Sequence, residues 1–227
     1  MRTFFSHIFL LCIISFYSGV TLAVADEGRY IIGYVSHPRV VNYYKPLIEE
    51  VYREIGINTE FVEVGGEPGL RLLNEGMTDA DVIRYDVVTQ YGKDIVAIEP
   101  AFALGTSFLL CIRKVPCSKD VIQNPDIAIA VTTRFFFNIG QQPDNLAASI
   151  HEFDDFNHVI ELLINGRFNY AILPSDYSQN AIFDKHGIRY IPIVKHKLVH
   201  VINKKHMHLY SALSDAITKR VKASLSN

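Results

Sequence analysis

The hydrophobic and polar positions of this chain alternate between two periods. Apolar residues recur at a spacing of about 3.6 from Val40 to Ile55, which predicts a helix that ends at Gly56. A short apolar run at 30–35 predicts a strand before that helix. Because the alternation continues to the carboxyl terminus, the pattern predicts layers of helices and strands, which is an α/β fold.

The rest of the chain repeats both patterns without any internal repeat. Further strands are predicted at 58–64, 80–83, 95–98, 106–112, 127–131, 170–173 and 188–194. Further helices are predicted after Pro68, at 154–165, at 175–186 and from Ile202 to Val221. No stretch has the composition of a flexible linker, so any two lobes must be joined by strands.

The amino-terminal segment has the order of a secretory signal peptide. Arg2 precedes an apolar run at 8–16, and the small residues Ala-Val-Ala follow at 23–25. The run is shorter than the about 20 apolar residues that span a membrane, although an uncleaved anchor helix stays an alternative. We expect cleavage near Ala25, a mature chain that begins near Asp26, and localisation in the periplasm.

Charge and cysteine content narrow the range of functions. Loss of residues 1–25 removes one basic residue, Arg2, and no acid, which changes the net charge from −2 to −3. A chain so close to neutral is not expected to bind nucleic acid. Cys111 and Cys117 stand six residues apart with Pro116 between them, and in an oxidising compartment they can form a disulfide. The alternative is one or two buried thiols.

Five segments, taken in order, carry a resemblance to a known family. They are REIGINTEFVEV at 53–64, PGLRLLNEGMTDADVIR at 68–84, DIVAIEPAF at 94–102, ELLINGRFNYAILPSD at 161–176 and HVINKKHMHLYSALSDAI at 200–217. Over residues 29–224 the chain resembles the extracellular solute-binding proteins of family 3, the amino-acid type, and most of all their short gammaproteobacterial relatives. The residues that follow the family pattern are Arg71, Leu73, Asn74, Gly76, Asp79, Asp81 and Arg84.

The resemblance implies a type II periplasmic-binding fold, with two α/β lobes joined by a hinge of two chain crossings. Lobe 1 would contain residues 26–106 and 197–227, and lobe 2 residues 107–196. A small polar molecule, carboxylate-bearing and amino-acid-like, would be captured between the lobes, because contacts with both lobes favour the closed form. The chain would act as a monomer, without catalysis or a cofactor, and deliver its ligand to a membrane permease.

Two other functions remain open for the same fold. The protein can be the ligand-sensing partner of a membrane receptor, since a receptor would contact the closed lobes just as a permease would. It can also be a small dehydratase-like enzyme, which a buried acid with a strongly shifted pKa in the cleft would favour. Fold alone does not decide between them.

Two arginines are candidates for ligand contact in lobe 1. Arg84 stands at the end of a predicted strand, where its planar guanidinium can hold a carboxylate through two parallel hydrogen bonds. The alternative for Arg84 is an ion pair with Asp79 or Asp86. Arg71 lies on the short helix after Pro68, where a solvated position or a salt bridge is the alternative.

The remaining candidates stand at strand ends, where open α/β sheets present residues to a crevice. Tyr34 ends the first strand and can stack on a ligand or pack in the core. Thr132, Thr133 and Arg134 follow the strand at 127–131, and their hydroxyl and backbone N–H groups can meet a polar ligand group. Ser175 follows the strand at 170–173 and is expected to close on the ligand from lobe 2.

The chain departs from the family at one position that matters for the ligand. Amino-acid binders of this family place an acid at the end of the strand at 170–173, where it accepts the ligand ammonium. Here Pro174 and Ser175 occupy that point, and Asp176 comes one or two residues later, where it can turn inward or, as we expect, begin a helix. We therefore expect a ligand other than a standard α-amino acid.

Histidines and glycines do not form a recognisable metal or phosphate motif. His206 and His208 differ by two positions and so point to different sides of a helix, and no cysteine or acid cluster accompanies them. The glycine-rich GGEPG at 65–69 lacks the Lys-Ser/Thr pair of a phosphate loop. We expect no metal site.

Overall fold

A computed structural model describes residues 29–90, 92–112, 114–132, 146–153, 155–175, 177 and 180–225. The predicted signal peptide and the candidates Thr133 and Arg134 lie outside these residues, as does Asp176. None of the helices in the described part of the chain has the length and apolar content that a bilayer crossing requires.

The described residues form one mixed sheet with helices on it. Its strands are β1 Tyr30–Tyr34, β2 Thr59–Glu63, β3 Ala80–Tyr85, β4 Ile95–Cys111, β5 Ala128–Thr132, β6 Ser149–Phe153, β7 Tyr170–Ser175 and β8 Arg189–Asn203. The helices are α1 Lys45–Glu54, α2 Gly66–Asn74, α3 Phe156–Ile164, α4 Asn180–Lys185 and α5 Tyr210–Leu225. The predicted α/β class is therefore confirmed.

The order of the strands separates the sheet into two parallel groups. The order is β2-β1-β3-β8-β4-β7-β5-β6, in which β2, β1 and β3 are parallel to one another, as are β7, β5 and β6. The long strands β8 and β4 lie between the groups and pair antiparallel along most of their length. One end of β8 pairs with β3, and one end of β4 pairs with β7. The two groups are thus connected by continuous strands.

Each group of strands is covered by its own helices. The amphipathic helix α1 buries Ile48, Val51 and Tyr52 against the first group, in the same cluster as Leu213 and Ile217 of α5. Helix α3 buries its apolar face against the second group, together with Phe183 of α4. Two separate helical layers are what a two-lobed protein requires, and the division of the chain at 106/107 and 196/197 stays a prediction.

The structure corrects several predicted elements; the helix predicted at 175–186, for example, is the shorter α4, and Ser175 belongs to β7. The strands predicted at 95–98 and 106–112 are one strand, β4, because an extended crossing between the two groups continues through Pro100 and Gly105. Strand β8 continues to Asn203, so Ile202 pairs with Ala80 instead of starting the last helix. Edge strand β6 was not predicted, since its sequence SIHEF has little apolar alternation and its residues are mostly exposed.

A helical segment with a wider turn precedes α1. Residues Val40–Tyr44 form a π-helical turn that runs directly into α1, with Val40 and Tyr44 buried. The predicted helix from Val40 is therefore present, although its first turn is not α-helical. Such turns are rare and are frequently found at functional sites.

Cys111 and Cys117 lie at the end of β4 that belongs to the second group. Their sulfur atoms are 2.10 Å apart in a disulfide, with the Cα atoms separated by 5.8 Å. The bridge closes a short turn that includes Pro116, whose carbonyl accepts a hydrogen bond from Tyr170 Oη. That the bridge forms when the protein is made in an oxidising compartment stays a prediction.

Candidate functional site

A cleft lies where the carboxyl ends of the two parallel groups meet. On the long strands, Tyr85 at the end of β3 pairs with Leu198, which in turn faces Ala103. Ser175 at the end of β7 pairs with Thr106 on the same strand as Ala103. Along β4 the two strand ends are therefore offset by three positions, or about 10 Å, and β8 and β4 lie between them. Carboxyl ends of parallel strands are where open α/β sheets bind ligands.

The first chamber of the cleft has a volume of about 110 Å³ and mostly apolar walls. Residues that follow β1 form one side, the end of β3 forms the floor, and the end of β7 closes the opposite side. The lining residues are Val35, His37, Arg39, Val40, Tyr44, Ile83, Arg84, Tyr85, Pro174, Ser175 and Leu198. None of them is an acid.

The second chamber is larger, at about 310 Å³, and adjoins the first through Val35, His37 and Pro174, which line both. Its other residues come from the ends of β2 and β5 and from the first turns of α2 and α3. They are Ser36, Glu63, Val64, Gly65, Gly66, Thr132 and Phe156. Glu63 is the acid among these lining residues, and it is exposed.

Arg84 lines the first chamber but already holds an internal partner. Its Nη2 atom lies 2.5 Å from Asp81 Oδ2, and its Nη1 atom donates to the Gly66 carbonyl at 3.0 Å. The side chains of Arg84 and Asp81 are 5% and 2% exposed. Burial raises the pKa of Asp81, while Arg84 acts in the opposite direction. We take the pair to be ionised at neutral pH, because a neutral Asp81 would leave a buried guanidinium without a counter-charge.

One atom on each member of this pair lacks a hydrogen-bond partner. Arg84 Nε and Asp81 Oδ1 are buried and unpaired in the described part of the chain. A buried polar atom without a partner is uncommon in folded proteins and calls for an explanation such as a water or a ligand atom. Arg84 lines the first chamber whereas Asp81 does not, so the ligand-facing member of the pair is Arg84.

The start of α2 is packed against the Arg84 side chain. A Cβ atom at Gly69 would lie 2.7 Å from Arg84 Nη2 and 2.6 Å from Val64 Cγ2. Glycine at this position therefore lets the helix approach closely enough for the Gly66 carbonyl to accept from Arg84. The GGEPG segment at 65–69, which is not a phosphate loop, has this packing role in the structure.

His37 and Phe156 contact each other across the cleft. His37 follows β1 and Phe156 begins α3, so the two rings belong to opposite strand groups; their centroids are 4.7 Å apart in an edge-on arrangement. His37 Nδ1 accepts a hydrogen bond from the Arg39 backbone N–H at 3.1 Å, which places the proton of the neutral imidazole on Nε2. Arg39 itself stacks on the Tyr43 ring at 3.7 Å.

Behind the chamber walls, buried groups fix the lining residues. The Tyr85 ring packs against His196 at 4.2 Å, and burial lowers the pKa of His196 to about 4 although Asp86 opposes this. Ser175 Oγ accepts from the Tyr177 backbone N–H at 3.0 Å, and Thr106 Oγ1 donates to Tyr177 Oη at 2.9 Å. Tyr177 has a φ of +70°, a conformation that a non-glycine residue adopts only when its surroundings hold it there.

The structure brings together some of the residues predicted from sequence. Arg84 and Ser175 line the first chamber, and Thr132 lines the second. Tyr34 is not among the lining residues and instead packs on the core cluster of α1, with Lys45 Nζ 4.3 Å from its ring. Arg71 is exposed on α2 and is also absent from both linings.

Sequence reasoning missed most of the wall that follows β1. The strand-end rule was applied to Tyr34, but the residues one to ten positions later, from Val35 to Tyr44, form that wall. Extending the rule into the connection after the strand would have found them. It also missed Asp81 as the partner of Arg84, since Asp79 and Asp86 were the acids considered.

The titratable groups of the described residues do not assemble a metal site. No group of three or more His, Cys, Asp or Glu side chains among these residues is arranged to hold an ion. His206, one of the two histidines considered above as metal ligands, donates from Nε2 to Asp79 Oδ1 at 2.7 Å and accepts a short hydrogen bond from Tyr30 Oη at Nδ1. His200 lies between Tyr52 Oη and the Val82 carbonyl.

Comparison with solved structures identifies the fold. The chain is similar to the substrate-binding protein of an amino acid ABC transporter (TM-score 0.71, 13% identity, 87% of this chain and 94% of that chain). It is also similar to a mutant of arginine-bound ArgBP from T. maritima (TM-score 0.68, 15% identity, 85% of this chain and 95% of that chain). A third similar structure is the GluR0 ligand-binding core in complex with L-glutamate (TM-score 0.69, 13% identity, 88% of this chain and 95% of that chain).

These similarities confirm the predicted fold class, since the chain has the type II periplasmic-binding fold over most of its length. No family model and no curated protein matches the sequence. At identities of 13–15% the structures establish the fold alone, and the residues of the cleft have to be interpreted from this chain.

Proposed function

We propose that this protein is an exported solute-binding protein that captures a small molecule between its two lobes and delivers it to a membrane permease. The observation that carries the proposal is the cleft at the facing carboxyl ends of two parallel strand groups, with lining residues from both groups. A ligand in such a cleft contacts both groups at once, so binding favours closure of one group on the other.

The similar structures support a binding role and, more weakly, a role without catalysis. Two of them are named as an arginine-binding protein and as a substrate-binding protein of an amino acid ABC transporter. Another is an ancestral amino-acid-binding protein described as a precursor of cyclohexadienyl dehydratase (17% identity, TM-score 0.65). In the first chamber no described carboxyl group is available as a general acid, because the neighbouring Asp81 is paired with Arg84.

A sensing role has one observation in its favour. The GluR0 ligand-binding core, which has this fold, is named as the ligand-binding core of a larger protein. The same cleft would then report ligand occupancy to a membrane receptor. Co-purification from membranes distinguishes the two partners, since a permease would be recovered with the loaded protein in one case and a receptor in the other.

Within the cleft, Arg84, Ser175 and Thr132 are the proposed ligand contacts from the original sequence set. Arg84 acts from the first group, whereas Ser175 and Thr132 act from the second. Arg84 offers its Nε–H, because Nε is the guanidinium nitrogen without a partner among the described residues, whereas each Nη atom already has one. Thr133 and Arg134 stay proposals on sequence grounds.

A thermal-shift screen of amino acids, polyamines, carboxylates and short peptides tests the proposal. A ligand at 100 times its dissociation constant adds about 2.7 kcal/mol to the free energy of unfolding and raises the melting temperature. Small-angle scattering of the same sample should show a smaller radius of gyration if the lobes close. Absence of a stabilising compound from all these classes would reject the solute-binding function.

A cleft-filling variant separates cleft binding from binding elsewhere. Thr132→Tyr places a ring in the second chamber and should weaken binding at least about tenfold, a change of 1.4 kcal/mol. Ser149→Tyr, at an exposed position of the edge strand β6, is the matched control and should bind as the parent does. Equal binding by all three proteins would place the ligand outside this cleft.

A further inference from the structure

We infer that the ligand of this cleft is a small carboxylate with an aromatic or branched aliphatic body and no ammonium group. This inference rests on the proposed function and narrows the class of its ligand. It departs from the zwitterionic amino acids that a cleft of this fold would be expected to hold. Three properties of the first chamber lead to it: its apolar walls, the lack of an available acid among its described lining residues, and the unpaired Nε–H of Arg84.

The walls of the first chamber favour an apolar ligand body. Of its lining residues, Val35, Val40, Ile83, Pro174 and Leu198 present hydrocarbon, and Tyr44 and Tyr85 present aromatic rings. A polar group that is buried against such walls loses its hydration without regaining hydrogen bonds. An aromatic or branched aliphatic group is stabilised there by the area that it removes from water.

The charges around the chamber disfavour a ligand ammonium. The basic side chains on its described lining are Arg84, Arg39 and His37. Asp81, the described acid that pairs with a lining residue, is 2% exposed and already accepts from Arg84 at 2.5 Å. An ammonium group in this chamber would therefore be desolvated beside a guanidinium, without a free carboxylate among the described lining residues to pair with.

Glu63 does not supply a partner for a ligand ammonium in the first chamber. It lines the second chamber, on the other side of the residues that the two chambers share, and its side chain is exposed to water. An exposed carboxylate in high dielectric contributes little to the binding of a cation. A ligand ammonium that reached Glu63 would have to leave the apolar chamber.

Arg84 supplies the donor for the opposite end of the ligand. Its Nε–H is buried, faces no protein acceptor among the described residues, and belongs to a side chain on the chamber lining. A carboxylate oxygen of the ligand would satisfy this donor. Asp81 and the Gly66 carbonyl hold the guanidinium by its two Nη atoms, whereas Nε has no partner among the described residues and would be the nitrogen that the ligand satisfies.

Compounds that share one carbon skeleton test the inference directly. Calorimetry would compare 3-phenylpropionate, L-phenylalanine and 2-phenylethylamine, and a second series would compare 4-methylpentanoate with L-leucine. We expect at least one of the two simple acids to bind about tenfold or more tightly than the matching amino acid, and the amine not to bind. If an amino acid or the amine binds as tightly as its acid, the inference is overturned while solute binding stands.

If neither acid binds, the inference is also overturned, whereas the proposed function is judged separately by the broad screen. If solute binding itself is wrong, no compound of the broad screen stabilises the protein; if only the inferred ligand class is wrong, another compound of that screen does. The screen also contains polyamines, short peptides and other carboxylates, so it can find a ligand when both simple acids fail.

A double variant tests the position of the carboxylate. Asp81→Asn with Arg84→Gln removes both charges together, so that neither is left buried and uncompensated. We expect the acid to lose about tenfold or more of its affinity to this variant, while Arg167→Gln, an exposed arginine in the turn after α3, binds it unchanged. Unchanged binding to the folded double variant would overturn the assignment of Arg84.

Discussion

Two aspartates at the start of β3, Asp79 and Asp81, lie two positions apart and have opposite surroundings. Asp79 accepts hydrogen bonds from the Ile31 backbone N–H, from His206 and from Lys205, and its side chain is 16% exposed. Asp81 is fully buried, pairs with Arg84 and retains an unpaired oxygen. Both carboxylate oxygens of Asp79 accept hydrogen bonds, whereas Asp81 Oδ1 and Arg84 Nε have no hydrogen-bond partner among the described residues.

The two carboxyl groups differ in the direction of their pKa shifts. Burial raises the pKa of Asp79, but the hydrogen bonds from Lys205, Ile31 and His206 outweigh burial and the net pKa is lowered. For Asp81 burial is the larger effect and the pKa is raised. The Asp79 cluster thus stabilises the junction between β1 and the segment before α5. The Asp81–Arg84 pair keeps a buried charged group on the chamber lining, which is the donor of the proposed ligand contact.

The largest expected effect comes from breaking the buried pair. Asp81→Asn leaves the Arg84 charge buried without compensation and should lower the free energy of unfolding by about 3–5 kcal/mol. The double variant Asp81→Asn with Arg84→Gln should lower the free energy of unfolding by clearly less than the sum of the losses in the two single variants. Urea denaturation of the three variants measures this coupling, with the exposed Asp126→Asn as a control. Additive losses would mean that the two groups do not interact as a pair.

A pH-dependent loss of stability is expected from His200, which lies on β8 beside β3 and is hydrogen-bonded to the Val82 carbonyl. Burial lowers its pKa from 6.5 to about 4, although hydrogen bonds to the Val82 and Asp81 backbone oppose this. As pH falls below 6.5 the unfolded chain takes up this proton first, so stability is full above that pH and is lost towards pH 4. At pH 5 this loss amounts to about 2 kcal/mol.

The measurement compares unfolding free energies at pH 7 and pH 5. His200→Gln should show a smaller drop than the parent, by about 2 kcal/mol. His186→Gln, which replaces an exposed histidine in the turn after α4, should keep the parental drop. An equal drop in all three proteins would assign the pH dependence to other groups, such as His196, whose pKa is also about 4.

The Cys111–Cys117 disulfide is expected to stabilise a part of the molecule that contains neither aspartate. Closing the short loop between Cys111 and Cys117 should add about 2 kcal/mol to the free energy of unfolding. Reduction should lower stability by that amount without changing ligand affinity, because neither cysteine lines the cleft. Mass spectrometry after alkylation without reductant reports the bridge directly, and two alkylated thiols in protein from an oxidising compartment would refute it.

The smallest expected effect comes from the satisfied aspartate. Asp79→Asn keeps the shape of the side chain but removes the charge, and should cost about 1 kcal/mol at pH 7. Because the folded-state pKa of Asp79 is lowered, this contribution is full above its ordinary pKa and disappears as pH falls through the folded-state value. The difference from the parent should therefore shrink at pH 3, and a difference that is constant with pH would contradict the role of the charge.

The amino-acid sequence by itself determined the secondary-structure types and several positions of the cleft. Periodicity predicted α1, α3 and most strands, since each of these elements buries one face and its apolar spacing records that burial. The strand-end rule predicted Arg84, Thr132 and Ser175, and all three line the cleft. The resemblance of ordered motifs predicted the fold class that the solved structures confirm.

Only the tertiary structure decided how β4 and β8 cross the molecule and which partner each charge has. A crossing strand changes its neighbouring strands halfway, so its burial pattern follows no single period. For this reason β4 was interpreted as two strands, and the end of β8 as the start of the last helix. The choice of Asp81 over Asp79 and Asp86 as the partner of Arg84 depends on a register shift between Asp81 and Arg84 in β3 and on the close approach of α2 at Gly69. The register shift arises when β3 pairs with β8, and the α2 contact depends on the distance between two elements, so neither is encoded in the local apolar pattern.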